Sequence, residues 1–271
     1  MRKYILGAAG VLLIGFSLFI TSWRSSVDSK PVQHSISEDS LYSKYISELY
    51  TSAQLEQTGL NMSVFEKAVT GYYNLKNAGK LSSMKSIISI ADMDQPSTHK
   101  RLWIIDLDKK ELLLNTWVAH GQNTGDDKAT RFSNVDDSYQ SSLGFYVTGE
   151  VYTGKHGRSL KLDGMDNGYN DNARKRSIVV HGAEYVSQGT INALGRLGRS
   201  QGCPAVAPEL ANQVIQTIEG KTVLYINGND QSYTSRYLNE HMAASYAGIN
   251  SKPAIDTTKV LASAQPLKVG I

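Results

Sequence analysis

Apolar positions recur first with helical and then with strand spacing along this chain. Leu41, Tyr45, Ile46 and Leu49 share one face and predict a helix over 41–50. Phe65, Ala68, Val69, Tyr72 and Tyr73 stand at i, i+3, i+4, i+7 and i+8 and predict a second. Ser63-Val64-Phe65-Glu66 reads as its capping box, with Ser63 and Glu66 satisfying each other's backbone donors, and Gly79 as its stop. The pair forms an expected helical segment over 41–85, packed on the strand-rich region after it. From about Ser86 the period shortens. Ile87, Ile88 and Ile90 predict a strand, and the apolar runs 102–107 and 112–118 predict a hairpin closed by Asp108-Lys109-Lys110-Glu111. Further strands are predicted over 145–148, 159–162, 177–180 and 222–226, with turns at glycines such as Gly149 and Gly154. Short helices are expected over 187–197 and 208–219, the latter opening on Pro208. Past Gly228 the pattern fades, and 229–271 reads as an irregular tail. The expected fold is mainly β with short helices over 86–228, preceded by the small α-helical segment. There is no internal repeat.

The N-terminus has a different pattern. Arg2 and Lys3 precede a stretch without charge from Tyr4 to Trp23, and at roughly 20 residues this is long enough to cross a bilayer. A basic start and an apolar core mark an export signal or a membrane anchor over 1–24. Phe19, Ile20, Trp23 and Arg24 leave no good small-residue cleavage site, which favours an uncleaved anchor at 4–23 with the rest of the chain in the periplasm or cell envelope. Serine-rich 25–40 reads as a linker.

The 271 residues hold 28 Lys+Arg against 25 Asp+Glu, a net charge of +3. Arg2, Lys3 and Arg24 account for all of that excess, so the remainder is balanced. A balanced surface excludes a nucleic-acid binder, which needs a basic excess for phosphates. Membrane contact is expected through the N-terminal segment only. Cys203 is the one cysteine, so no internal disulfide can form. In an oxidising compartment an unpaired thiol calls for another explanation.

The chemistry concentrates between His181 and Cys203. The strand 178–180 ends at His181-Gly182, where the sheet fixes the direction of the ring, and Ser200-Gln201-Gly202-Cys203 comes after a loop and short helix. A thiolate is a strong nucleophile but must be generated by an imidazole or by local positive potential. Amides at Gly202 and Cys203 could face the oxygen of a tetrahedral intermediate.

The His-Gly pair, the gap and the Ser-x-Gly-Cys sequence resemble the L,D-transpeptidase catalytic domain. The resemblance spans Gly121 to Tyr225 and includes Phe132-Ser133-Asn134, Ser141-Ser142-Leu143-Gly144-Phe145-Tyr146, Tyr152-Thr153-Gly154-Lys155-His156-Gly157 and Arg196-Leu197-Gly198-Arg199-Ser200. These blocks look like the murein L,D-transpeptidase branch of Gram-negative bacteria. The resemblance implies Cys203 as nucleophile, His181 as base, the Gly182 carbonyl orienting the imidazole, and Gly202 and Cys203 amides as oxyanion hole, with Ser200 in support. It implies acyl transfer on peptidoglycan stem peptides: Cys203 attacks the L,D bond before the terminal D-Ala, and an amine or water resolves the thioester. No metal or organic cofactor is called for. Gln201 stands where the better-studied branch commonly has His, and Pro204-Ala205-Val206 where it has Arg, so recognition by those groups does not carry over. Gln201, Arg176, His156 and Tyr152 are the expected substrate-binding residues, and His120, also before a glycine, is a further candidate for the cleft. The run 166–172 has the look of a calcium loop but has Ser177 at the twelfth position, so it reads as a solvated turn.

Rival chemistries fail on chain order. A sortase has an arginine close after its cysteine, whereas the next here is Arg236. Papain-like enzymes place Cys before His, and the sole later histidine is His241. No His-Glu-x-x-His motif supports a zinc peptidase. An L,D-carboxypeptidase using the same pair, or an inactive wall-binding module, remain the alternatives.

Overall fold

The computed structural model describes residues 38–248. The expected anchor, most of the linker and the end of the tail lie outside the described residues. The chain divides into units 1–35 and 36–271, and all described residues belong to the second. Among them, no helix is long and apolar enough to cross a membrane.

Helix α1 (Glu38–Ser52), a 3-10 turn (Leu55–Thr58) and α2 (Met62–Asn77) come first. One amphipathic face of each is buried: Tyr42, Ile46 and Leu49 from α1, and Phe65, Ala68, Val69 and Tyr72 from α2. The start of α2 differs from the expected capping box. Asn61 is the N-cap, its side chain accepting from the Ser63 N–H at 2.9 Å. Asparagine caps as well as serine does, and it stands in the one position that reaches the second helical amide. Gly79 (φ +66°) does close the helix, with the Lys80 N–H donating back to the Leu75 carbonyl.

Strands β1 (Ile87–Asp92), β2 (Leu102–Asp106), β3 (Glu111–Thr116), β4 (Gly144–Gly154), β5 (Gly157–Gly164), β6 (Val179–Gly182), β7 (Ala205–Val206) and β8 (Val223–Asn227) form one mixed sheet. Its order is β3-β2-β1-β8-β4-β5-β6-β7. Helices α3 (Gln188–Leu194) and α4 (Pro208–Ile218) fall within the β6-to-β8 stretch. Alternation along the strands sorts side chains to two faces. Ile88, Ile90, Trp103, Phe145 and Tyr225 face α1 and α2, whereas Ile104, Tyr146, Leu160, Leu162 and Val180 share a core with Val214 and Ile215 of α4. At Gly71 of α2 a Cβ would fall 2.0 Å from the Phe145 ring, so helix and sheet approach as closely as glycine permits. The N-terminal helices and the sheet thus share one core.

Two local expectations are corrected and a third is extended. Gly149 is no turn: β4 runs through it, and the β4–β5 register shifts between Thr148 and Val151, as a bulge. The tail holds a 3-10 turn (Arg236–Leu238) and helix α5 (Glu240–Tyr246), tied down by Asn74, whose amide donates to the Tyr237 and Asn239 carbonyls at 2.8 Å. Its apolar contacts, Tyr237, Ala243 and Ala244, are too few to give a periodic signal. The 166–172 run is a tether as well as a solvated turn, with Asp166 and Asn170 buried and 167, 168, 171 and 172 exposed. Asp166 is buried, accepting from the Phe145 N–H at 2.7 Å and the Tyr233 hydroxyl at 2.8 Å, and Asn170 donates to the Leu143 and Phe145 carbonyls.

Candidate active site

Parallel pairing of β6 with β7 brings the two ends of the chemistry together. His181 pairs with Ala205, two residues beyond Cys203, so the Ser200–Cys203 loop lies next to the strand that carries the histidine. Both side chains line one cleft of about 540 Å³. The Ser200–Cys203 loop is closed by Ser200, whose hydroxyl accepts from the Gly202 N–H (3.0 Å) and donates to the Cys203 carbonyl (2.6 Å).

His181 is almost fully buried, at 2% exposure. Its Nδ1 lies 2.9 Å from the Gly182 carbonyl oxygen. A carbonyl can only accept, so Nδ1 carries the proton and Nε2 is the basic nitrogen. Burial pushes the His181 pKa below the ordinary imidazole value; the Gly182 bond opposes this, and His156 and Lys155 push it further down. The ring is therefore neutral at neutral pH. Cys203 is half-buried. Its Sγ donates to the Ser177 carbonyl at 3.7 Å. Burial raises its pKa, while the Val179 N–H, Arg176 and Lys155 favour the thiolate.

The rest of the cleft is cationic. Lys155, Arg176 and Arg199 line it, and no acidic side chain does. Lys155 and His156 form the tip of the β4–β5 hairpin, and the His156 ring stacks on His181 with centroids 4.2 Å apart and planes at 24°. Tyr152 and Gln201 also line the cleft. The cleft thus brings a thiol, a neutral imidazole and three basic side chains to one lining.

The pattern of the family described as the L,D-transpeptidase catalytic domain matches residues 56–227. The chain belongs to that family. No curated protein matches it. Solved structures similar to this L,D-transpeptidase-family chain include an L,D-transpeptidase from Mycobacterium smegmatis, at 11% identity and TM-score 0.33 over 53% of this chain and 59% of that one. L,D-transpeptidase 3 from Mycobacterium tuberculosis, in complex with a faropenem-derived adduct, is similar at 13% identity and TM-score 0.33 over 53% and 61%. The helical cell shape determining protein Pgp2 from Campylobacter jejuni is similar at 13% identity and TM-score 0.37 over 65% and 60%. The chain spans about three-fifths of the length of these structures.

Within this family domain, three sequence expectations change. The Gly202 amide is not open to an oxyanion, because Ser200 already accepts its proton. Arg176 does not present its fork to a substrate. Its Nη1 donates to the Ser133 carbonyl (2.7 Å) and the Ser142 hydroxyl, and its Nη2 to the Ser138 hydroxyl (3.1 Å) and the Gln140 carbonyl (2.6 Å). His120 lies outside the cleft lining, fully buried, with Nδ1 2.7 Å from the Arg101 guanidinium. Its carbonyl accepts from the Ser200 N–H at 2.9 Å, so it backs the Ser200–Cys203 loop from inside.

Sequence reasoning assigned no role to Lys155, Tyr185 or Arg199, which also line the cleft. A signal for Lys155 existed: two residues between Gly154 and Gly157 mark a tight hairpin tip. None existed for Tyr185 and Arg199, which reach the cleft through tertiary packing.

Proposed function

We propose that this protein is a cysteine acyltransferase of the cell envelope that acts on peptidoglycan stem peptides. The observation that carries the reading is that Cys203 and a neutral His181, its tautomer set by Gly182, line one acid-free cationic cleft. Cys203 leaves the Ser177 carbonyl and gives its proton to His181 Nε2. The thiolate adds to the carbonyl that joins the third stem residue to the D-Ala, and the Cys203 N–H faces the developing oxyanion. The tetrahedral intermediate expels the D-Ala amine, which takes the proton back from His181, leaving a thioester on Sγ. An amine of a second stem peptide then attacks, His181 removes its proton, and the Cys203 thiol leaves with that proton as the new L,D cross-link forms. Lys155, exposed at the hairpin tip, suits a carboxylate of such a peptide. The apolar 4–23 stretch fits export and retention at the membrane.

Mass analysis of muropeptides after incubation with wild type and Cys203→Ala tests this. Cross-linked product with wild type and none with the variant is expected. Trimmed tetrapeptides without cross-links would replace transfer by hydrolysis. Equal product from both proteins, or no Cys203 adduct with a carbapenem, would end the assignment.

A further inference from the structure

Arg176 stands just ahead of β6, and all four of its terminal N–H groups are engaged by the 133–142 segment. That segment in turn packs against the nucleophile loop. Ser141 Oγ accepts from the Gly121 N–H (3.0 Å) and donates to the Gly202 carbonyl (3.3 Å). Gly202 has φ +120°, and a Cβ there would lie 2.8 Å from the Gln140 carbonyl oxygen and 3.3 Å from Arg176 Nη2. The fork, the segment it grips and the Gly202 backbone are therefore one packed unit.

The guanidinium remains charged at any accessible pH. Its ion-pair candidate Asp136 is exposed and lies 3.9 Å from Lys175 instead. The groups that face Cys203 differ from element to element. His181 on β6 is neutral and lends no standing charge. On the hairpin tip, Lys155 favours the thiolate but is exposed, where salt screens it, and burial and Lys155 keep His156 below the ordinary imidazole value. Tyr185, after β6, is pushed up to about 12 by burial and by Cys203 itself, so it stays neutral. Arg199 is held by the Gly125 carbonyl (2.9 Å) and Asp126 (3.4 Å). Arg176 is the half-buried, fixed cation that favours the sulfur anion.

We propose that Arg176 is a positioning residue of the nucleophile, bracing Gly202 through the 133–142 segment and placing beside that loop a fixed positive charge that favours ionisation of the Cys203 thiol. The proposal rests on Cys203 being the nucleophile. It assigns to a residue ahead of the histidine strand the cation that the sequence lacks immediately after the cysteine.

The test is the pH dependence of Cys203 alkylation by iodoacetamide in the full chain. Arg176→Gln is expected to raise the midpoint by about one pH unit, so that alkylation below it slows about tenfold. Arg176→Lys, which keeps a charge but cannot span four acceptors, is expected to raise it by less. A wild-type midpoint in folded Arg176→Gln overturns the proposal; where that variant does not fold, a wild-type midpoint in Arg176→Lys does so. Alkylation needs no peptidoglycan, so inactivity on muropeptides and an unmoved midpoint are separate failures.

Discussion

Replacing Ser200 by alanine is the sharpest probe of how the nucleophile loop is held. The hydroxyl is buried and makes two bonds inside one turn, accepting from Gly202 N–H at 3.0 Å and donating to Cys203 O at 2.6 Å. Alanine removes both partners and adds nothing that could replace them. A buried donor or acceptor left without its partner costs about 1–3 kcal/mol. The Gly202 amide is buried and should bear that cost in full, whereas the carbonyl belongs to a half-buried residue and can recover part of it from water. The net loss is then about 3 kcal/mol. In a domain of this size each kcal/mol lowers Tm by roughly 2–4 °C, so a fall of about 6–12 °C is expected. Thermal unfolding reads the loss, and the rate of carbapenem acylation reads its local consequence. Freeing the loop spreads the thiol over several positions, so acylation should slow more than global stability alone explains. Should Ser200→Ala melt within about 2 °C of wild type and acylate at the same rate, Ser200 does not order the loop.

Gly202→Ala places a Cβ 2.8 Å from a backbone oxygen at φ +120°, so strain of about 1–3 kcal/mol and a displaced thiol are expected, read by unfolding and alkylation; a wild-type result in both would refute the packing. Buried His120 has its pKa lowered to about 4, first by burial and then by Arg101. The unfolded chain takes up this proton near pH 6.5 and the native chain does not, so stability should fall by about 3 kcal/mol as pH drops from 6.5 towards 4. His120→Gln should flatten that part of the Tm–pH curve. His181, lowered in the same direction, should keep its basic form below the usual imidazole range. The acid limb of kcat/KM therefore belongs below about pH 6.5. A limb above that value would mean the imidazole is not held as described.

Much of the fold was legible because its signals are local. The apolar recurrences of α2, the β2–β3 hairpin and Pro208 at the start of α4 lie within single elements, where periodicity of 3.6 or 2 arises from backbone geometry. His181 and Cys203 stood out for another reason: the His-Gly pair and the Ser-x-Gly-Cys sequence resemble the family, and the structure sets both residues in one cleft. The Asn61 cap, the bulge at Gly149 and the short α5 were not legible, since each depends on which neighbour completes a hydrogen bond or a contact.

The order of residues alone determined most of the elements and, through its resemblance to the family, singled out His181 and Cys203. Only the tertiary structure decided that β1 and β8 pair in parallel across the length of the domain, and that β7 pairs with β6 so that Cys203 and His181 line one cleft. It also decided the fates of three polar residues that look alike in sequence. Arg176 spends its fork on the 133–142 segment, His120 is buried against Arg101, and His156 stacks over the base. The physical reason is the range of the interactions. Helix and strand periodicity is settled within a few residues, whereas the role of a charged or titratable group depends on burial and on partners that folding brings from tens of positions away.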